Sequence, residues 1–205
     1  SALLVRTVGQ MTRTPTGVAA DDVLTTTVQL TPRAVNVPAG ASRRDSWQLV
    51  ADTHARLLEA IRQQPGVAAA GHANFLPLTV GWRNPFRLDG QPAPPRMEDL
   101  PQAQMHSVSD GYFEAMGAVL AQGRAFSAFD TSDAPAVVVV NETFATRYLP
   151  DGALGRVIRN WSSAIGPLGV NLTARQAAQH DGFPAEIVGV VRDVKNAPLG
   201  QNVEP

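Results

Sequence analysis

RRDSWQLVADTHARLLEAIRQQ, residues 43–64, is where the hydrophobic period of the chain becomes helical. Trp47, Val50, Ala51, His54, Leu57, Leu58 and Ile61 recur at steps of three and four, which puts them on one helical stripe. Ser42 or Asp45 is placed to cap the start, and Pro65-Gly66 stops the run. Gly66 suits the positive φ that follows a helix end. Upstream, residues 23–30 (VLTTTVQL) are rich in β-branched side chains and read as a strand. Downstream, residues 67–75 are small and apolar and read as a second strand. Strand, long helix, strand is a βαβ-like unit.

Beyond it, residues 77–101 carry six prolines and read as irregular, with a short strand, Phe86-Arg87-Leu88, before the turn at Asp89-Gly90. Residues 102–108 alternate enough for a strand. Residues 110–116 read as a short helix capped by Ser109. Residues 136–140 form a continuous apolar run, expected for a buried strand. A short helix over 141–148 is ended by Pro150, and a brief strand is expected at 155–159. Residues 160–183 are polar, with a helix expected over 172–180 under an Asn171 or Thr173 cap, and residues 186–191 (EIVGVV) are the final strand. The class is α+β.

The composition narrows the function. A net charge of −1 and a charged fraction of 17% supply no basic face for nucleic acid or for anionic lipid. With no cysteine there is no disulfide, thiolate metal site or cysteine nucleophile. No apolar run approaches the length of a membrane span.

Candidate chemistry is sparse. His54, His72, His106 and His180 form no helical metal pair, and His54 on the apolar stripe reads as a packed or rim histidine. Asp130 and Asp133 lie three apart in a loop. As a catalytic pair they would need a partner or a shifted pKa, so they read as turn caps. Asp21-Asp22 reads as a solvated lead into the first strand. Asn141-Glu142-Thr143, Asn160-Trp161-Ser162 and Asn171-Leu172-Thr173 match a glycosylation triplet that arises readily by chance. Trp47, Trp82 and Trp161 are scattered and read as packing residues. No phosphate loop, dinucleotide fingerprint or nucleophile elbow is present. The expectation is a non-catalytic chain with no cofactor and no metal.

Several fragments, in order, resemble one family. Leu3-Leu4-Val5-Arg6-Thr7 is similar to the end of its first membrane helix. Gly17 with Val23-Leu24-Thr25, Gln64-Pro65-Gly66-Val67 and Leu76-Pro77-Leu78 resemble its next signatures. So do Val108-Ser109-Asp110-Gly111-Tyr112-Phe113, and Met116-Gly117 with Leu120, Gly123-Arg124, Phe126 and Asp130. Val138-Val139-Val140-Asn141-Glu142-Thr143, Gly155-Arg156-Val157-Ile158, and Ile187-Val188-Gly189-Val190-Val191-Arg192-Asp193-Val194 complete the series. The family is that of MacB-like periplasmic domains of FtsX-type ABC transporter permeases, in the duplicated orphan permease group of soil bacteria. The sequence departs from its pattern at Asp110, where proline is usual, and across residues 160–183.

The resemblance implies a porter-like βαβ unit plus an inserted sabre-like α+β subdomain. Residues 1–19 would be a membrane-helix end and linker, 20–77 the first porter-like unit and 78–200 the sabre-like part. Residues 201–205 would begin the return to a second porter unit outside the chain, leaving apolar surface exposed on the first.

It implies a domain on the extracytoplasmic (periplasmic) side of a cell inner membrane, transmitting ATP-driven conformational change to a substrate or partner. Its partners would be a cytoplasmic ATP-binding subunit, reached through the rest of the permease, and another permease copy or a periplasmic protein. A stand-alone secreted or periplasmic binding or scaffold protein is the alternative. The motif residues Pro65, Gly66, Tyr112, Phe113, Gly123, Arg124, Asp130, Asn141, Glu142, Gly155, Gly189 and Asp193 are expected to be structural. Arg124 and Asp130 are expected to form a local ion pair or to cap a turn.

Overall fold

The computed structural model describes residues 22–30, 38, 40–76, 79, 82–92, 94–131, 134–160 and 182–194. Six strands form one mixed sheet: β1 (Trp82–Leu88), β2 (Gln102–Met105), β3 (Leu120–Gly123), β4 (Val137–Asn141), β5 (Val157–Asn160) and β6 (Phe183–Val191). Among the described residues three α-helices accompany them: α1 (Arg43–Arg62), α2 (Tyr112–Ala115) and α3 (Glu142–Tyr148). The α+β class expected from the sequence holds.

β6 is the hub. Its first half pairs antiparallel with β5 and its second half antiparallel with β3, while β4 runs parallel along its other side. β1 joins β5 to β2, both antiparallel. Phe183, Ala185 and Ile187 alternate inward, as a half-buried strand requires. Val190 is odd by that count and yet is buried too. The register explains it: Val138 faces Ile187 and Val139 faces Gly189, so Val188 is an extra residue on β6. That bulge moves the following side chains by one position and returns Val190 to the core face.

The core joins this face to α3. Phe86 and Leu88 of β1, Val140 of β4, Ile158 of β5, and Ala185, Ile187 and Val190 of β6 pack against Phe144, Leu149 and Ala153. Phe86 lies 5.0 Å from Phe144 and 4.9 Å from Tyr148, ring to ring. Ile187 is 0% exposed. α3 follows β4 directly because Asn141 turns extended and its Oδ1 accepts the amide of Phe144 at 3.0 Å.

α1 matches the periodic stripe. Of the two candidate caps, Ser42 takes the position, its Oγ accepting the Asp45 amide at 3.1 Å. Gly66 leaves the helix at φ +87°, as expected.

Several local expectations need correction. Residues 23–30 form no strand; Leu24 is 97% exposed, and no ladder partner flanks them among the described residues. β-branched composition favours extension, but a strand also needs a neighbour to satisfy its backbone. Residues 67–75 contain a single bridge, Ala73 to Val108, instead of a strand. The strand expected over 102–108 stops at Met105, and the one at 155–159 begins at Val157. The final strand, expected over 186–191, starts three residues earlier at Phe183, which thereby leaves the segment read as polar. α2 begins at Tyr112, and its cap is Gly111 at φ +73°. Ser109 instead accepts the His72 amide on its Oγ, across to the 70–74 segment. β3, which carries no apolar alternation, was not expected. The membrane-helix end at 3–7, Gly17, Pro77-Leu78, Asp133, Trp161 and the helix over 172–180 lie outside the described residues.

Candidate functional site

Three polar constructions hold the described part of the chain together. The first closes the loop after β3. Arg124 grips Asp130 with both ends of its guanidinium, Nη1 to Oδ2 at 2.7 Å and Nη2 to Oδ1 at 2.8 Å. Asp130 also accepts from the Ser127 amide and hydroxyl. Arg124 and these Ser127 donors pull the Asp130 pKa down to about 2. A carboxylate this acidic is a poor general base at neutral pH. The ion pair and the turn cap are therefore one structure. The loop presents Phe129, 88% exposed, to solvent.

Arg124 reaches this position through two glycines. β3 meets β6 at Gly123 opposite Gly189. A Cβ on Gly189 would collide with the Arg124 carbonyl oxygen, and one on Gly123 with the Val188 carbonyl oxygen. The backbones approach this closely only because neither position has a side chain.

The second construction pins α3. Asp193, just past β6, accepts the Thr143 amide at 3.0 Å and the Thr143 hydroxyl at 2.8 Å. With Asn141 on Phe144, two orphan amides of the first turn are satisfied. Glu142 adds an acidic residue to that turn, which suits the helix dipole. Gly155 donates to the Ile187 carbonyl at 2.9 Å and so ties the loop before β5 to β6.

The third construction joins α1 to the sheet side. Arg62 at the end of α1 donates to the Ala70 carbonyl, to the Asp110 carbonyl at 2.8 Å, and to the Asp110 carboxylate at 3.3 Å. The carboxylate contact exists because this chain has Asp at 110, where the resembled pattern has proline. About two turns earlier, His54 stacks on His72 with ring centroids 4.7 Å apart and planes 20° from parallel. Burial, then the neighbouring His54, lower the His72 pKa, and Asp110 opposes them.

Tyr112 and Phe113 join a satellite cluster rather than the main core. Phe113 lies 5.4 Å from Tyr112 and 5.9 Å from Phe126. Burial pushes the Tyr112 hydroxyl pKa up. Between α1 and the sheet runs an open groove of about 1330 Å³, lined by Ala55, Leu58, Met105, His106, Phe126 and Val138 among others. Burial lowers the His106 pKa.

Among the described residues no three His, Cys, Asp or Glu side chains are placed to share a metal ion. None of the described helices is long and apolar enough to cross a membrane. Sequence reading missed the His54–His72 stack and the Asp193 cap. Each joins residues far apart in the chain; the advance signals were His54 on the apolar stripe and Asp193 among the motif residues.

No curated protein matches the chain. Among solved structures it is similar to the periplasmic region of MacB from Actinobacillus actinomycetemcomitans, at 14% identity and a TM-score of 0.42, over 74% of this chain and 60% of that one. It is also similar to the extracellular domain of the noncanonic ABC-type transporter YknZ from Gram-positive bacteria, at 11% identity and a TM-score of 0.40, over 72% of this chain and 57% of that one. The chain thus spans under two thirds of each of these structures. The family of MacB-like periplasmic core domains matches residues 3–203, nearly the whole chain, and the chain belongs to that family.

Proposed function

We propose that this chain is the extracytoplasmic domain of an ABC transporter permease and acts without chemistry of its own. It passes conformational change, driven by ATP hydrolysis at a cytoplasmic subunit, to a substrate or partner outside the cytoplasm. The family match over residues 3–203 carries this reading. The polar constructions support it. The Asp130 carboxylate, the most acid-shifted in the described chain, serves to brace a loop, and Asp193 braces a helix. Such bracing lets a sheet move as one packed unit.

In this reading residues 20–77 are the first porter-like unit and 78–200 the sabre-like subdomain, set in a permease of the cell inner membrane. All six described strands lie beyond residue 81 and α1 lies before residue 63, which supports a boundary between them. The twelve motif residues are structural in this scheme.

The test is made in the membrane-embedded permease with its ATP-binding subunit. Spin labels at the exposed Gln48 on α1 and Gln122 on β3 report the distance between helix and sheet. The proposal expects that distance to differ between nucleotide-free and ATP-bound states by about 2 Å or more. An unchanged distribution, together with unchanged distances to a label on the membrane part, contradicts it.

A further inference from the structure

We propose that the stacked His54–His72 pair is a proton-operated joint, and that proton uptake in a mildly acidic medium frees the C-terminal half of α1 from the 70–74 and 107–110 segments.

The geometry places the pair where it can act. His54 projects from α1, and His72 lies past the Pro65-Gly66 turn. Their rings are in face-to-face contact at 4.7 Å. The His72 backbone is in turn locked to the next segment. Its amide donates to Ser109 Oγ at 2.9 Å, and its carbonyl accepts from the Ser109 amide at 3.0 Å. Asn74 and Ser107 exchange two further bonds, Asn74 N to the Ser107 carbonyl at 3.0 Å and Ser107 N to Asn74 Oδ1 at 2.9 Å. The ring stack therefore couples the helix to a hydrogen-bonded bridge.

The same geometry is intolerant of charge. His72 Nδ1 is buried and has no hydrogen-bond partner among the described residues. An imidazolium needs an acceptor at both nitrogens, and none is in reach at this one. Two protonated rings cannot stay stacked at this distance without strong repulsion.

The charged groups around the pair are few. On α1 these are His54 itself and Arg62, and on the 106–111 segment it is Asp110. Asp110 favours a proton on His72, but its carboxylate is also paired to Arg62 at 3.3 Å. His106, just past β2, is half-buried and packs edge-on against Phe75 at 5.9 Å. The Tyr112 hydroxyl stays neutral throughout the range because burial raises its pKa.

The sign follows from the direction of the shift. His72 is harder to protonate when folded than at its ordinary value of 6.5. Its contribution is complete above that value and is lost as pH falls below it through the folded value. Asp130 does not interfere, because it titrates near pH 2.

The experiment is amide hydrogen exchange on the 205-residue chain, expressed as protection factors at pH 7.5 and pH 5.5. The amides of Leu58 to Arg62, Asn74 and Ser109 are expected to lose protection about tenfold relative to those of Ile187 and Val190. His72→Phe keeps a ring in the stack and cannot take a proton, so its loss should fall below about twofold. Should that variant fail to fold, protection in the unsubstituted chain must begin to fall near pH 6.5, while the His72 ring resonances of the folded chain titrate at lower pH. The proposal is overturned by equal protection at both pH values, by a tenfold loss that persists in His72→Phe, or by His72 ring resonances that titrate at or above 6.5 in the folded chain.

Discussion

Strand β6 is nine residues long, pairs with three other strands and buries Ile187 completely. Helix α1 is twenty residues long and, among its described side chains, buries only Leu58. β6 is held by ladders and a continuous core. α1 is held at one end, by Arg62 on Ala70 and Asp110 and by a pair of imidazoles. Length therefore says little about how firmly an element is fixed. Apolar area withdrawn from water and non-local pairing decide that. One protein thus contains a rigid sheet and a helix joined to it by a few polar contacts. The proposed transmission of conformational change would use both.

Substitutions can break or sharpen this contrast. The largest effect is expected at Ile187→Ala, which opens a cavity between β6 and α3 and should cost about 3 kcal/mol in denaturant unfolding. Gly189→Ala comes next at about 2 kcal/mol, because the new methyl meets the Arg124 carbonyl and must push β3 off β6. Amide exchange at β3 should show the displaced strand. Asp130→Asn should cost about 1 kcal/mol, since Arg124 is half exposed and partly screened. The Asp130 pKa is depressed, so its contribution is present above the ordinary carboxylate value of 3.8 and fades as pH falls toward 2. That fading should disappear from the acid-unfolding profile of the Asn variant. Leu24→Ser is expected to change stability by less than about 0.5 kcal/mol, because the side chain touches almost nothing. A larger loss would mean that residues 23–30 have a partner that the sheet does not supply.

What the sequence disclosed follows the same division. α1 was legible because a helix satisfies its own backbone, so its stripe, Ser42 and Gly66 are local signals. β4 and α3 were legible from the valine run and from Asn141 and Pro150. Residues 23–30 and 67–75 misled because a strand is a relation between two segments, and only one of them is in view. β3 was hidden for the opposite reason: Leu120–Gly123 is short and exposed, and only its partner β6 makes it a strand. The Arg124–Asp130 pair could be named from six residues' spacing, but its bidentate form depends on the Ser127 turn. The contacts of Asp193 with Thr143 and of His54 with His72 bridge distant positions and became visible only in the fold.

The central claim is that sheet and helix are fixed to different degrees. Amide hydrogen exchange of the chain at neutral pH tests it most directly. The Ile187 and Val190 amides should exchange only through global unfolding, while those of Leu58 to Arg62 should exchange at least about a hundredfold faster through local opening. Equal protection in β6 and α1, lost together along one denaturant curve, would contradict it.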